Sequence, residues 1–115
     1  MLTMEIVIGP EESLAAAGLF KERVKFFQIL GVHPGPAGQE ILEETFERIK
    51  KMRKICPASP AGGPSCIIEA NGGMNKETAK KAVEAGANII VAAKAIFGAE
   101  DIKKAIEELK TISNI

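Results

Sequence analysis

The sequence has no tryptophan and no tyrosine, a single histidine and only two cysteines. It also lacks net charge, with Lys+Arg at 15 and Asp+Glu at 15. Balanced charge argues against partners held by bulk electrostatics, so neither nucleic acid nor an anionic membrane surface is expected. No apolar run reaches the ~18 residues of a membrane span. Residues 1–8 have no basic start and no long apolar stretch, so no secretory signal is read there and a cytoplasmic location is expected. Cys56 and Cys66 flank a Pro/Gly/Ser loop. A disulfide across it is conceivable, but two reduced thiols are the preferred reading. The lone histidine, His33, is read as a loop residue and not as a metal ligand.

What is present is an ordinary globular composition, 46% hydrophobic and 26% charged, over 115 residues. That length suits one domain, spanning residues 1–115. The most telling stretch runs from Ile67 to Gly98. A short β-branched run stops at Gly72-Gly73, and Asn75 is placed to cap a helix whose inner stripe is Ala79, Ala82 and Val83. Gly86 ends that helix in a left-handed cap. Ile89, Ile90 and Val91 then form a continuously apolar run, as in a parallel strand covered on both faces. The unit is βαβ, and the carboxyl ends of its strands are where α/β proteins hold phosphate.

The same pattern recurs along the chain. Met4 to Gly9 reads as a strand, Ser13 to Glu22 as a short helix, Val24 to Val32 as a second strand, and residues 33–38 as a rigid Pro/Gly loop. Gln39 to Arg53 gives the clearest helix, with Ile41, Leu42, Thr45, Phe46, Ile49 and Met52 on one face. Its basic end, Lys50, Lys51, Arg53 and Lys54, is read as a solvated helix terminus that complements the dipole. Glu100 to Ile112 closes the chain as an amphipathic helix with Ile102, Ala105, Ile106, Leu109 and Ile112 on one side. The order is (βα)4, which fits either a small doubly wound sheet or half of a (βα)8 barrel.

Four segments carry a resemblance. They are Val32-His33-Pro34-Gly35-Pro36-Ala37-Gly38-Gln39, Ile68-Glu69-Ala70-Asn71-Gly72-Gly73-Met74-Asn75, Ala85-Gly86-Ala87-Asn88 and Ala95-Ile96-Phe97-Gly98. In order and spacing they resemble ribulose-phosphate 3-epimerase, but only the C-terminal half of that family's barrel, strands five to eight. The resemblance implies an α/β fold, a (βα)4 half of a TIM (βα)8 barrel with a parallel sheet. It also implies an ancestral reaction, epimerisation of a pentulose 5-phosphate at C3 by two aspartates and a divalent metal. Two His ligands, one Asp ligand and one proton-transferring aspartate belong to the half that is not matched. The remaining aspartate falls on Asn71, which is neither a general acid nor a general base. No catalytic residue and no metal or other cofactor is therefore assigned to this chain. Asn71 is read as a turn residue ahead of Gly72-Gly73. Glu69, of the same strand parity, is read as a structural inward carboxylate, and Leu30 as apolar packing where the family often has Met.

The phosphate-binding loops are better preserved. The resemblance sets them at Gly35 and Gly38, at Gly72 and Gly73, and at Ala93 and Lys94. Pro36 removes one N–H donor, Ala93 adds a methyl group, and Lys94 adds a positive charge. The reading that follows is an epimerase-like half-barrel with a remnant phosphate or sugar-phosphate site, without catalysis on its own. The alternatives are an epimerase completed by a separate N-terminal half and a purely structural, self-associating module. A thiamine-phosphate-synthase-like fragment is weaker still, since the Pro-Gly-x-x-Gly-Gln stretch argues against it. The expected partner is a second copy, forming a homodimer that closes an eight-stranded barrel. In that arrangement Ile6, Ile8, Leu30 and Ile90 are expected to point inward.

Overall fold

A computed structural model describes residues 2–36, 39–57 and 65–112. Strands β1 (Glu5–Ile8), β2 (Phe26–Leu30), β3 (Ile67–Asn71) and β4 (Ile89–Val91) form one parallel sheet in the order β1-β2-β3-β4. The helices between and after them are α1 (Leu14–Gly18), α2 (Thr45–Ile55), α3 (Lys76–Ala85), α4 (Lys94–Phe97) and α5 (Ile102–Ile112). Strand order equal to chain order removes the doubly wound alternative, which needs a point where the order reverses. Crossovers of one hand that all step the same way stack their helices on one face of the sheet.

The core lies between that face and the helices. Ile8, Phe27, Ile29, Ile68 and Ala70 from the strands are buried against Ala17, Ile49, Met52, Ala79 and Ala82 from the helices. Parallel pairing aligns Ile6 with Phe27, Ile8 with Ile29, and Ala70 with Ile90. Ile6, Ile8 and Ile90 therefore face the helices, contrary to the inward orientation expected for them. The reason is the two-residue period of the strand, anchored by Phe27 and Ile29, whose side chains are the bulk of the dry layer. The opposite face carries three rows: Glu5, Phe26 and Ile67; Val7, Gln28, Glu69 and Ile89; Leu30, Asn71 and Val91. Leu30 is on that face as expected.

Caps at α3 follow the sequence reading. Asn75 Oδ1 accepts from the N–H groups of Glu77 and Thr78, Thr78 Oγ1 accepts from Asn75 N–H, and Gly86 closes the helix at φ +124°. Two other helices begin or end elsewhere than expected. The helix after Ser13 stops at Gly18, where an added Cβ would come within 2.5 Å of Ile55 Cγ2. The helix expected from Gln39 begins only at Thr45. Residues 39–44 instead form a strap over the carboxyl ends of β2 and β3, with Leu42 N–H donating to Gly31 O at 2.7 Å. Ile41 packs so closely on Gly31 and Gly73 that a Cβ at either position would meet it at 2.8 Å or less. Tertiary docking of Ile41 thus overrides a sequence with good helical periodicity.

The two cysteines are bonded to each other, which corrects the expectation of free thiols. Cys56 caps the end of α2 and Cys66 directly precedes β3, and their Cα atoms lie 5.9 Å apart, within bonding reach. Arg53 holds the two segments together and is not part of a solvated helix end. Its guanidinium donates to the carbonyls of Cys56 and Cys66, each at 3.0 Å, to Gly86 O at 2.9 Å and to Asn88 Oδ1. Partial burial pushes the Arg53 pKa down from its ordinary value, the expected response of a desolvated cation. Among the described residues no helix is long and apolar enough to cross a membrane.

Candidate functional site

The carboxyl ends of β2, β3 and β4 open into a cleft of about 780 Å³. Three loops reach it: Gly35 and Pro36 after β2, Gly72 and Gly73 after β3, and Ala93 and Lys94 after β4. Five of the six residues expected to bind phosphate are thus brought to one cleft. The sixth, Gly38, lies outside the described residues, as does Ala37.

The loops are held by local chemistry. Gly72 and Gly73 adopt φ of +101° and +68°, which L side chains rarely tolerate. At Gly73 the packing is as demanding as the dihedral, because a Cβ would sit 2.7 Å from Ile41 N. Gln39 Nε2 donates to His33 O at 3.1 Å and Pro36 O at 3.0 Å, closing the first loop on itself. His33 is exposed at the base of that loop. The start of α3 is taken up by its Asn75 cap, so the anion-attracting contribution expected of a helix start there is already satisfied internally. Lys94 is the one cation among the described lining residues, and Glu40 and Glu43 also line the cleft.

Beneath the cleft, on the open face, runs a chain of polar side chains. Asn71 Nδ2 donates to Gln28 Oε1 at 3.1 Å, and Gln28 Nε2 donates to Glu5 Oε1 at 2.9 Å and Glu69 Oε2 at 3.3 Å. The direction is dictated by the carboxylates. An ionised carboxylate only accepts, so the Gln28 amide must present its NH2 group to Glu5 and Glu69. Its carbonyl is then left for Asn71, which must answer with a donor. A hydrogen bond to Glu69 that only the protonated Glu5 carboxyl can donate is the largest influence on Glu5 and holds its pKa above the ordinary value, helped by burial and by the Glu69 charge and opposed by the Gln28 hydrogen bond to the ionised form. This donor set does not suit a divalent metal. The Gln28 NH2 group, a hydrogen-bond donor, stands between the two carboxylates, and among the described residues no three His, Cys, Asp or Glu side chains are grouped to hold an ion.

A family model described as the ribulose-phosphate 3 epimerase family matches residues 2–97. The chain belongs to that family. It is 33% identical over 105 residues to ribulose-phosphate 3-epimerase of Bacillus subtilis (strain 168), covering 91% of this chain and 48% of the relative. It is 36% identical over 105 residues to the chloroplastic enzyme of Arabidopsis thaliana, covering 91% of this chain and 36% of the relative. The chain therefore spans about half or less of the length of these curated relatives. Among solved structures it is similar to 3-hexulose-6-phosphate synthase, with TM-score 0.62 and 22% identity over 94% of this chain and 48% of that one. It is also similar to thiamine phosphate pyrophosphorylase from Pyrococcus furiosus, with TM-score 0.53 and 22% identity over 96% of this chain and 59% of that one. Likeness at that identity speaks to fold alone, and the fold is TIM-barrel-like α/β.

Within the family reading, two residues of the site were not singled out from sequence. Gln28 stands on β2 between Glu5 and Glu69 and orients Asn71. Its signal was a polar residue in the otherwise apolar run Phe26 to Leu30, at the parity of Leu30. Gln39 closes one of the four family segments and heads the helix expected from periodicity, but the clamp it makes on residues 33–36 depends on a carbonyl arrangement that sequence does not display.

Proposed function

We propose that this chain is an epimerase-like half-barrel whose cleft binds the phosphate group of a sugar phosphate, and that the chain alone does not catalyse epimerisation. The observation that carries the reading is the convergence of Gly35, Gly72-Gly73 and Ala93-Lys94 on one cleft. Backbone N–H groups in glycine turns form concavities that favour anions, and Lys94 adds the one cationic side chain among the described lining residues. Non-catalysis is supported by Asn71, whose amide cannot carry the proton that an aspartate at this place would carry. Glu69 is tied to Gln28 and stands on the sheet face one row below Asn71.

Amide NMR under titration with inorganic phosphate tests the reading. Gly73 and Lys94 are expected to shift first, and Lys94→Ala is expected to weaken binding by roughly tenfold, the worth of one charge-assisted contact. Amides of both residues that stay still at millimolar phosphate would remove the site from the cleft.

A further inference from the structure

The polar chain on the open sheet face has a direction, and that direction reaches the cleft. It starts at Glu5 on β1 and Glu69 on β3, which accept from Gln28 Nε2 at 2.9 and 3.3 Å. The Gln28 carbonyl in turn accepts from Asn71 Nδ2. Asn71 lines the cleft, whereas Gln28, Glu5 and Glu69 do not. With Nδ2 turned to Gln28, Oδ1 is left on the cleft side of the amide. Among the described residues nothing donates to that oxygen. It is not sealed off either, since the one buried and unpaired side-chain polar atom among the described residues is Arg48 Nε, on α2. Reversing the Asn71 amide would set carbonyl against carbonyl unless Gln28 turned as well. Gln28 would then face both carboxylates with its own oxygen.

The place of this acceptor decides what the cleft can take. A cavity of about 780 Å³ is of the size that holds small ligands. Gly72, Gly73 and Lys94 suit an anion at its rim, and Gly73 is close to Asn71 in the chain, roughly 7 Å away at most. An oxygen of the ligand that can only accept, placed against Asn71 Oδ1, would leave two acceptors facing each other. A hydroxyl there completes the chain by donating. We propose that Glu5 and Glu69, acting through Gln28, set Asn71 to offer the cleft a carbonyl acceptor, and that Asn71 thereby selects phosphate esters carrying a hydroxyl beside the phosphate over esters that bring only acceptor atoms. Asn71 is the specificity-determining residue, and Gln28, Glu5 and Glu69 are positioning residues. The proposal rests on the phosphate reading of the cleft and adds to it the polarity of the neighbouring subsite.

Three phosphate monoesters of like charge test it: ethyl, hydroxyethyl and methoxyethyl phosphate. The first brings no group to Asn71, the second a donor and the third an acceptor only. Affinities are read from the Gly73 and Lys94 amides by NMR, with inorganic phosphate as the reference. Wild type is expected to hold hydroxyethyl phosphate about tenfold tighter than either of the other esters, the worth of one hydrogen bond. A Glu5→Gln, Glu69→Gln variant removes the groups that can only accept, so Gln28 and Asn71 can turn together and offer the cleft either side. In that variant methoxyethyl phosphate is expected to come within about threefold of hydroxyethyl phosphate. Circular dichroism checks that the variant folds, and the comparison within wild type stands without it. Carboxylates that matter for stability alone would move all three esters in parallel, and an unchanged ratio in the folded variant would overturn their positioning of Asn71. Equal wild-type affinities for the three esters would overturn the proposal while leaving phosphate binding in place. Failure of inorganic phosphate and all three esters to bind would remove the phosphate reading and this proposal with it.

Discussion

Replacing Asn71 by Asp restores the residue type that the epimerase resemblance sets at this position, and the structure says that the change is destabilising. The Asn71 Nδ2 donates to Gln28 Oε1 at 3.1 Å, and Gln28 cannot turn its amide over without facing Glu5 and Glu69 with its carbonyl. A new carboxylate therefore meets a carbonyl oxygen, and one hydrogen bond becomes an oxygen–oxygen contact. A lost neutral hydrogen bond costs about 1 kcal/mol, and a half-buried acceptor left unpaired costs about 1 kcal/mol more. The sum of about 2 kcal/mol corresponds to a drop in Tm of roughly 10 °C for a domain near this size. The deficit also has a definite pH dependence. Ionisation of the new carboxyl is opposed in the folded state, so its folded pKa lies above its unfolded one. The full penalty applies above the folded value and fades as the pH falls through it, where the protonated oxygen can donate to Gln28 as the amide does. Urea unfolding of Asn71→Asp and wild type, at neutral pH and below the carboxylate range, reads both effects. Equal stability at neutral pH, or a deficit that acid leaves unchanged, would refute the hydrogen-bond direction on which the reasoning stands.

Two further outcomes follow from the same polar chain and from the staple beneath it. The Glu5 pKa is raised, so its contribution to stability is present below its unfolded value and is lost as pH rises through its folded value. Glu5→Gln is expected to flatten the fall in urea midpoint between the acidic carboxylate range and neutrality, and an unchanged slope would show that Glu5 is not responsible. Reduction of the Cys56–Cys66 bond, which closes a separation of 10 residues, is expected to cost about 2.7 kcal/mol on the chain-entropy model. Denaturation with and without reductant measures it, and equal stabilities would show that the bond constrains nothing.

Much of the fold was readable because it rests on local rules. The Asn75 cap, the Gly86 stop and the strand at Ile89 act within a few residues of themselves, and the structure has each where the pattern set it, although that strand is not covered on both faces, since Ile89 is exposed on the open one. The loops of the cleft were readable for the same reason, since Gly72-Gly73 announces a turn. What sequence did not reveal depends on partners far along the chain. The parity of β1 is fixed by its pairing with β2, where Ile8 lies beside Ile29. The start of α2 is displaced by Ile41 seeking Gly31 and Gly73. Arg53 looked like one of several basic residues at a helix end until Gly86, Asn88 and Cys66 came within its reach. A strand periodicity of two leaves both parities open when apolar residues succeed one another, as Ile6, Val7 and Ile8 do in β1.

The staple between Cys56 and Cys66 has a consequence for handling the protein. It joins the end of α2 to the start of β3, and Arg53 bonds both sides of the junction. Any peptide bond hydrolysed between the two cysteines opens a covalent ring without dividing the molecule. The two resulting pieces, one with β1 and β2 and the other with β3 and β4, remain one covalent unit until a reductant is added. On a denaturing gel such a nicked molecule migrates near full mass without thiol and as two fragments with it, so the integrity of this chain has to be judged under reducing conditions.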